Sequence, residues 1–174
     1  MPIGKARLNS VGFVAARAGY SCGLALLALL FGGKALQNAV AEGAKISTVN
    51  IMTFDYYLGT TENMLKDAES AATAAHGQLA TLYPSLSSRA LWEMIGVTQM
   101  PGIDDFGTAE TFTTAQAPAF AIWAAAKGLG QVSIWALQRD NGNCPGTKGA
   151  GSCSGVTQPT WYFSHVFDLF SYLP

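Results

Sequence analysis

The sequence predicts an α/β fold with parallel strands, on three observations. From Lys45 onward, short β-branched apolar runs recur three times, and stretches of helical period separate them. The runs are near-continuously apolar rather than alternating, as strands buried on both faces are. A strand–helix–strand order requires right-handed crossovers, and therefore a parallel sheet. The 174 residues are 49% hydrophobic and 12% charged, enough to bury a core and incompatible with a disordered or acidic tail protein. A formal net charge of −1 lacks the basic excess of a nucleic-acid binder, so a neutral partner is expected.

Residues 1–34 read as a distinct leader-like segment. Lys5, Arg7, Arg17 and Lys34 all precede the first acidic residue, Glu42, and the remainder carries six basic against eleven acidic residues. The apolar run Leu24–Phe31 is bounded by Gly23 and by Gly32-Gly33. It is far shorter than the ~20 residues that span a bilayer, but it suits the apolar region of a secretory signal, with a buried or amphipathic helix as the alternative. Secretion is the localisation this predicts. Cys144 and Cys153 close a short Gly/Ser-rich loop, a disulfide candidate in an oxidising compartment that leaves Cys22 odd. Two histidines, His76 and His165, lack ligand spacing to any Cys, so no metal and no cofactor is expected.

The elements follow in order. Ala35–Glu42 has good helix formers and stops at Gly43. Lys45–Phe54 reads as a buried strand that ends on Asp55, Tyr56 and Tyr57. Glu62–Leu82 places Met64, Ala68, Ala71, Ala72, Ala75, Leu79 and Leu82 on one helical face, and Pro84 ends it. Leu91–Met100 is a second strand, closing on Gln99 with Asp104 and Asp105 in the loop beyond. Thr113 and Gln116 form a capping-box start for a helix to Lys127, where Gly128 stops it; Pro118 predicts a kink or a later start. Gln131–Leu137 is the third strand, a Gly/Ser/Pro-rich loop runs from Asp140 to about Thr157, and Trp161 to about Phe170 is an aromatic amphipathic helix. Its aromatic residues Trp161, Tyr162, Phe163, Phe167 and Phe170 are assigned to packing on the sheet rather than to a sugar platform.

In both main parallel α/β architectures, chemistry sits at the carboxyl ends of strands, where Asp55, Tyr56, Gln99 and Trp135 fall. The sequence has no dinucleotide fingerprint, phosphate loop or nucleophile elbow. What remains is aromatic rings with carboxylates and an amide, the composition of a sugar cleft: rings stack on pyranose faces and polar groups bond hydroxyl or acetamido groups. On spacing alone Trp135 is as readily a core residue.

Several segments occur together in a telling order. They are Val49-Asn-Ile-Met-Thr-Phe-Asp-Tyr56, Leu82-Tyr-Pro84, Leu91-Trp-Glu-Met-Ile-Gly-Val-Thr-Gln-Met100, Gly102-Ile-Asp-Asp105, Lys127-Gly-Leu-Gly-Gln-Val-Ser-Ile-Trp-Ala-Leu-Gln-Arg-Asp140, Cys144-Pro and Cys153-Ser-Gly155. Over about Ala35 to Phe170 they resemble the C-terminal part of the chitinases of glycoside hydrolase family 18; residues before Ala35 do not. The resemblance implies a partial (β/α)8 barrel, its last three β/α units, within residues 35–174. It also implies hydrolysis of β-1,4-linked N-acetylglucosamine polymers by a substrate-assisted retaining mechanism. Chitin or its oligosaccharides would be the partner.

By the same resemblance Asp55 matches the sixth-strand Asp that handles the acetamido group, with Tyr56 offering a phenol beside it. The family's Met-x-Tyr-Asp pattern has a Tyr where Phe54 stands. Trp135 matches the eighth-strand Trp that floors the sugar site, Met52 would pack beneath it, and Gln99 and Asp104 would line the cleft. The fourth-strand pattern Asp-x-x-Asp-x-Asp-x-Glu, which carries the catalytic acid, occurs nowhere in the 174 residues. The expectation is therefore a chitinase-derived chain, truncated and inactive alone, with uncovered sheet edges open to self-association. The alternative is a non-catalytic glycan-binding module.

Overall fold

The computed structural model describes residues 11–14 and 24–172, with side chains for 33–171. A parallel sheet of four strands is ordered β1-β2-β3-β6, with β1 Val11–Val14, β2 Val49–Met52, β3 Ile95–Gln99 and β6 Gln131–Ile134. The helices are α1 (Leu24–Ala41), α2 (Met64–Leu82), α3 (Ser88–Glu93), α4 (Gln116–Lys127) and α5 (Tyr162–Asp168). Strands β4 (Gly102–Ile103) and β5 (Thr111–Phe112) form a small antiparallel pair beyond the end of β3.

The sheet has one strand more than the three expected. That strand and the apolar run Leu24–Phe31, which opens α1, both fall in the stretch set apart as leader-like. The first helix thus begins at Leu24 rather than Ala35. Residues 1–10 and 15–23, Cys22 among them, lie outside the described residues. No helix among the described residues is long and apolar enough to cross a membrane.

Side-chain alternation divides the sheet into two chemically different faces. Val49, Ile51, Ile95 and Val97 are buried in the core formed with the helices. The Ala-rich side of α2 buries Met64, Ala68, Ala71, Ala72, Ala75 and Leu79, as its spacing predicts. The other face carries Asn50, Met52, Thr98 and Ser133, with Met52, Thr98 and Ser133 level in register. Asn50 Nδ2 donates to Thr98 Oγ1 at 2.7 Å, and Thr98 Oγ1 shares a hydrogen bond with Ser133 Oγ at 2.7 Å. Gly96 makes room for this polar ladder, since a Cβ there would lie 2.6 Å from Asn50 Oδ1.

β2 is shorter than the Lys45–Phe54 expected, and β6 ends at Ile134 rather than Leu137, with a 3-10 turn, Leu137–Arg139, following it; two other expectations change for local reasons. Leu91–Glu93 belongs to a helix, not to the second strand, because Ser87 Oγ accepts from Ala90 N at 3.2 Å and caps a short turn. Pro118 causes no late start: it lies in the first turn of α4, where its missing N–H would have no intrahelical partner. The capping box forms as read, with Gln116 N donating to Thr113 Oγ1 at 3.2 Å and Thr113 N to Gln116 Oε1 at 2.9 Å. In α5, Phe163 and Phe167 pack on Phe112 and Phe120 with ring centroids 5.8–6.2 Å apart. Trp161 departs from that cluster and stays 42% exposed.

Candidate functional site

The site is built where β2, β3 and β6 end. After Met52, Thr53 N still donates to Thr98 O at 3.0 Å, and then the chain leaves the sheet through Asp55 and Tyr57, both at φ +55°. Non-glycine residues enter this left-handed region only when their surroundings hold them there. Two buried carboxylates do so. Asp104 Oδ2 accepts from Asp55 N at 3.0 Å, while Glu110 accepts from Tyr56 N at 2.7 Å and from Leu58 N at 3.3 Å. In return Asp105 N donates to Asp55 Oδ1 at 3.0 Å, which locks the two loops together.

Asp104 also receives Phe106 N at 3.1 Å and Gly107 N at 3.3 Å. Burial, with Glu110 beside it, pushes its carboxyl up to about 7 despite these donors. Asp55 is raised as well, chiefly by desolvation, and the Asp105 N–H opposes that shift. Arg139 is the buried cation facing this acidic group. It donates to Pro101 O at 3.1 Å, to Ile103 O at 2.8 Å and to Ala150 O. The predicted Cys144–Cys153 disulfide is present, with Cα atoms 5.9 Å apart. Its loop supports the Asp104 turn, through Gly149 N to Asp104 O at 3.0 Å.

Asp55 and Trp135 stand at strand ends as expected. β6 ends at Ile134, the Trp135–Ala136 peptide is cis, and Trp135 is 57% exposed, with its N–H on Gln99 O at 2.7 Å. Exposure removes the core reading of Trp135. Met52 is half-buried on the polar-ladder face.

Three expectations need correction. The Tyr56 hydroxyl is buried, and its ionisation is pushed far up by burial and then by Asp67 of α2, so it is not a phenol open to a ligand beside Asp55. Gln99 is fully buried, and alternation puts it on the side of Ile95 and Val97 rather than on a cleft wall. Asp104 is buried too, with its oxygens engaged by backbone N–H groups of the loop it shapes.

The sequence reading missed Tyr57, Glu110, Arg139 and Asp140. Glu110 was visible only as a glutamate without the acid motif around it. Tyr57 stood one residue beyond the tyrosine chosen, and only the positive φ values decide which ring faces out. Asp140 collects Phe163 N at 3.1 Å, Ser164 N at 2.7 Å, Ser164 Oγ at 2.6 Å and Gln158 Nε2 at 2.6 Å, tying the start of α5 to the end of β6.

A parallel β/α sheet with a carboxylate and an open indole beyond its strand ends is the segment of a (β/α) barrel. The comparisons agree with that class. No family model matches the chain. It is 32% identical over 151 residues to a probable bifunctional chitinase/lysozyme of Escherichia coli (strain K12), covering 80% of this chain and 16% of that protein. It is 34% identical over 117 residues to endochitinase 11 of Metarhizium anisopliae, covering 63% of this chain and 22% of that protein. The catalytic domain of a hyperthermophilic chitinase from Pyrococcus furiosus superposes with a TM-score of 0.81 at 27% identity, over 94% of this chain and 50% of that one. A catalytic-site mutant of active domain 2 of a Pyrococcus furiosus chitinase, solved with chito-oligosaccharides, superposes at 0.80 and 26% identity. The chain is a chitinase-like protein of the glycoside hydrolase family 18 type. It spans about half of the solved domains and 16–22% of the curated relatives.

Proposed function

We propose that this chain binds chito-oligosaccharides at the ends of β2 and β6, as part of a substrate-assisted chitin-hydrolysing site. The observation that carries the reading is the presence of an exposed indole, Trp135, and a loop-locked Asp55 at the ends of β6 and β2, the strands on either side of β3. An open indole takes the apolar face of a pyranose, and a rigid carboxylate accepts from, and orients, an acetamido N–H. Desolvation raises the Asp55 carboxyl above its ordinary value, which makes it a stronger acceptor for that N–H. Met52 fills the sheet face below. Asp104 acts from within the protein, by holding the Asp55 loop and its own turn, and Tyr56 and Gln99 lie inside with it.

None of the 174 residues supplies the glutamic acid motif, so protonation of the leaving oxygen requires a group from outside these residues. By themselves they are expected to bind and not to hydrolyse. That same absence favours, as the second reading, a purely glycan-binding module. Secretion fits a disulfide in the loop that supports the site. The uncovered edges of β1 and β6 invite self-association when the chain stands alone.

Retention on chitin beads tests the reading. The unmodified chain is expected to be retained, and Trp135→Ala and Asp55→Ala to wash through at least tenfold more readily. Equal retention of all three would remove the site from these strand ends. Release of sugar by the 174 residues alone would refute the need for an outside acid.

A further inference from the structure

Tyr57 is the one tyrosine of its loop whose ring is turned outward. It is 58% exposed, whereas the hydroxyl of its neighbour Tyr56 is buried. The difference is built in by the backbone. Residues 55 and 57 are left-handed, and the Asp104 and Glu110 carboxylates hold the backbone there from a loop 49 to 54 residues away. The ring does not wave freely. It meets Phe106 edge-on, with centroids 5.5 Å apart and planes at 83°, and Phe106 N is itself fixed to Asp104 Oδ1.

Tyr57 follows Asp55 by two residues in the same loop, and the Asp55 charge raises the ionisation of its hydroxyl. The ring is thus an exposed aromatic on a loop held by four hydrogen bonds. A ring held on edge by a second ring presents one flat face to whatever lies against Asp55.

We propose that Tyr57, backed by Phe106, is an aromatic side wall of the saccharide site, stacking on the sugar whose acetamido group Asp55 holds, while Trp135 supports the floor. This rests on the chito-oligosaccharide reading above. The ring makes the contact, so Tyr57→Phe preserves it and Tyr57→Ala removes it.

Calorimetric titration of the full chain with chitotriose tests this, using Tyr57→Ala, Tyr57→Phe and Trp135→Ala, with thermal melts to confirm folding. Tyr57→Asn, a residue that tolerates the left-handed region, is the second ring-less variant should Tyr57→Ala unfold. Loss of one stacked ring weakens binding by about tenfold. The expected result is that loss in Tyr57→Ala or Tyr57→Asn and affinity within about twofold of the unmodified chain in Tyr57→Phe. If the ring-less variants bind like the unmodified chain while Trp135→Ala does not, the side wall is refuted and the chitin reading stands. If Tyr57→Phe loses as much as Tyr57→Ala, the ring-contact proposal is overturned. If the unmodified chain does not bind chitotriose, the chitin reading fails and the side wall fails with it.

Discussion

Asp55 owes its place to residues far away in sequence, and Glu110 is the one that can be isolated by substitution. Removing its carboxylate in Glu110→Ala leaves Tyr56 N and Leu58 N without their acceptor. An unmade buried bond costs about 1–3 kcal/mol, so a loss of at least about 2 kcal/mol is expected in urea unfolding. A change below about 0.5 kcal/mol, the usual size for a surface substitution, would contradict the anchoring role. Asp104 adds a pH dependence. Its carboxyl is raised from 3.8 to about 7, so the folded chain binds the proton that the unfolded chain releases. The stabilising contribution is complete below the unfolded value and is lost as pH rises toward 7. The urea midpoint should therefore fall between pH 4 and pH 7 more steeply in the unmodified chain than in Asp104→Asn; equal slopes would contradict it. The position of Asp55 just past a strand was legible from its own residues, whereas Trp135 was singled out only by the resemblance, since a strand reading to Leu137 left it as readily a core residue. Which of Tyr56 and Tyr57 faces outward was not legible, because carboxylates about fifty positions later set their backbone.

Single elements follow local rules well where period and caps coincide. α2 matches its apolar spacing, and α4 its Thr113–Gln116 box and the left-handed Gly128 stop at φ +75°. Local rules fail at Leu91–Glu93, since a short apolar run fits a strand or a buried helical turn equally and Ser87 decides it. They also fail for β4 and β5, two residues each, whose pairing is long-range. α5 is the element most dependent on one side chain. Four donors converge on Asp140, so Asp140→Ala should cost about 3 kcal/mol or more and loosen α5 first. Hydrogen exchange at Phe163 and Ser164 would report it; unchanged protection there would show that ring packing on Phe112 and Phe120 holds the helix alone.

For the whole molecule, the strand–helix order made the parallel sheet readable and the resemblance the barrel type, whereas the fourth strand was not readable. Val11–Val14 is too short and too weakly patterned to read without its partner β2. The 174 residues alone are expected to associate as concentration rises, through β1 and β6, the outer strands of the sheet among the described residues; a monomer at every concentration in sedimentation would contradict that. The molecule also offers a rival to the proposed site. A cavity of about 740 Å³, lined by Ser88, Arg89, Trp92, Lys127 and Phe170, lies at the opposite end of the sheet, where α3 and α4 lead into β3 and β6. The chain has four tryptophans, Trp92, Trp123, Trp135 and Trp161, so the indole N–H resonances report which end a sugar occupies. Titration with chitotriose should move the Trp135 signal and leave Trp92 in place. A shift at Trp92 with Trp135 unmoved would put the saccharide at the wrong end of the sheet and contradict a site built on Asp55 and Trp135.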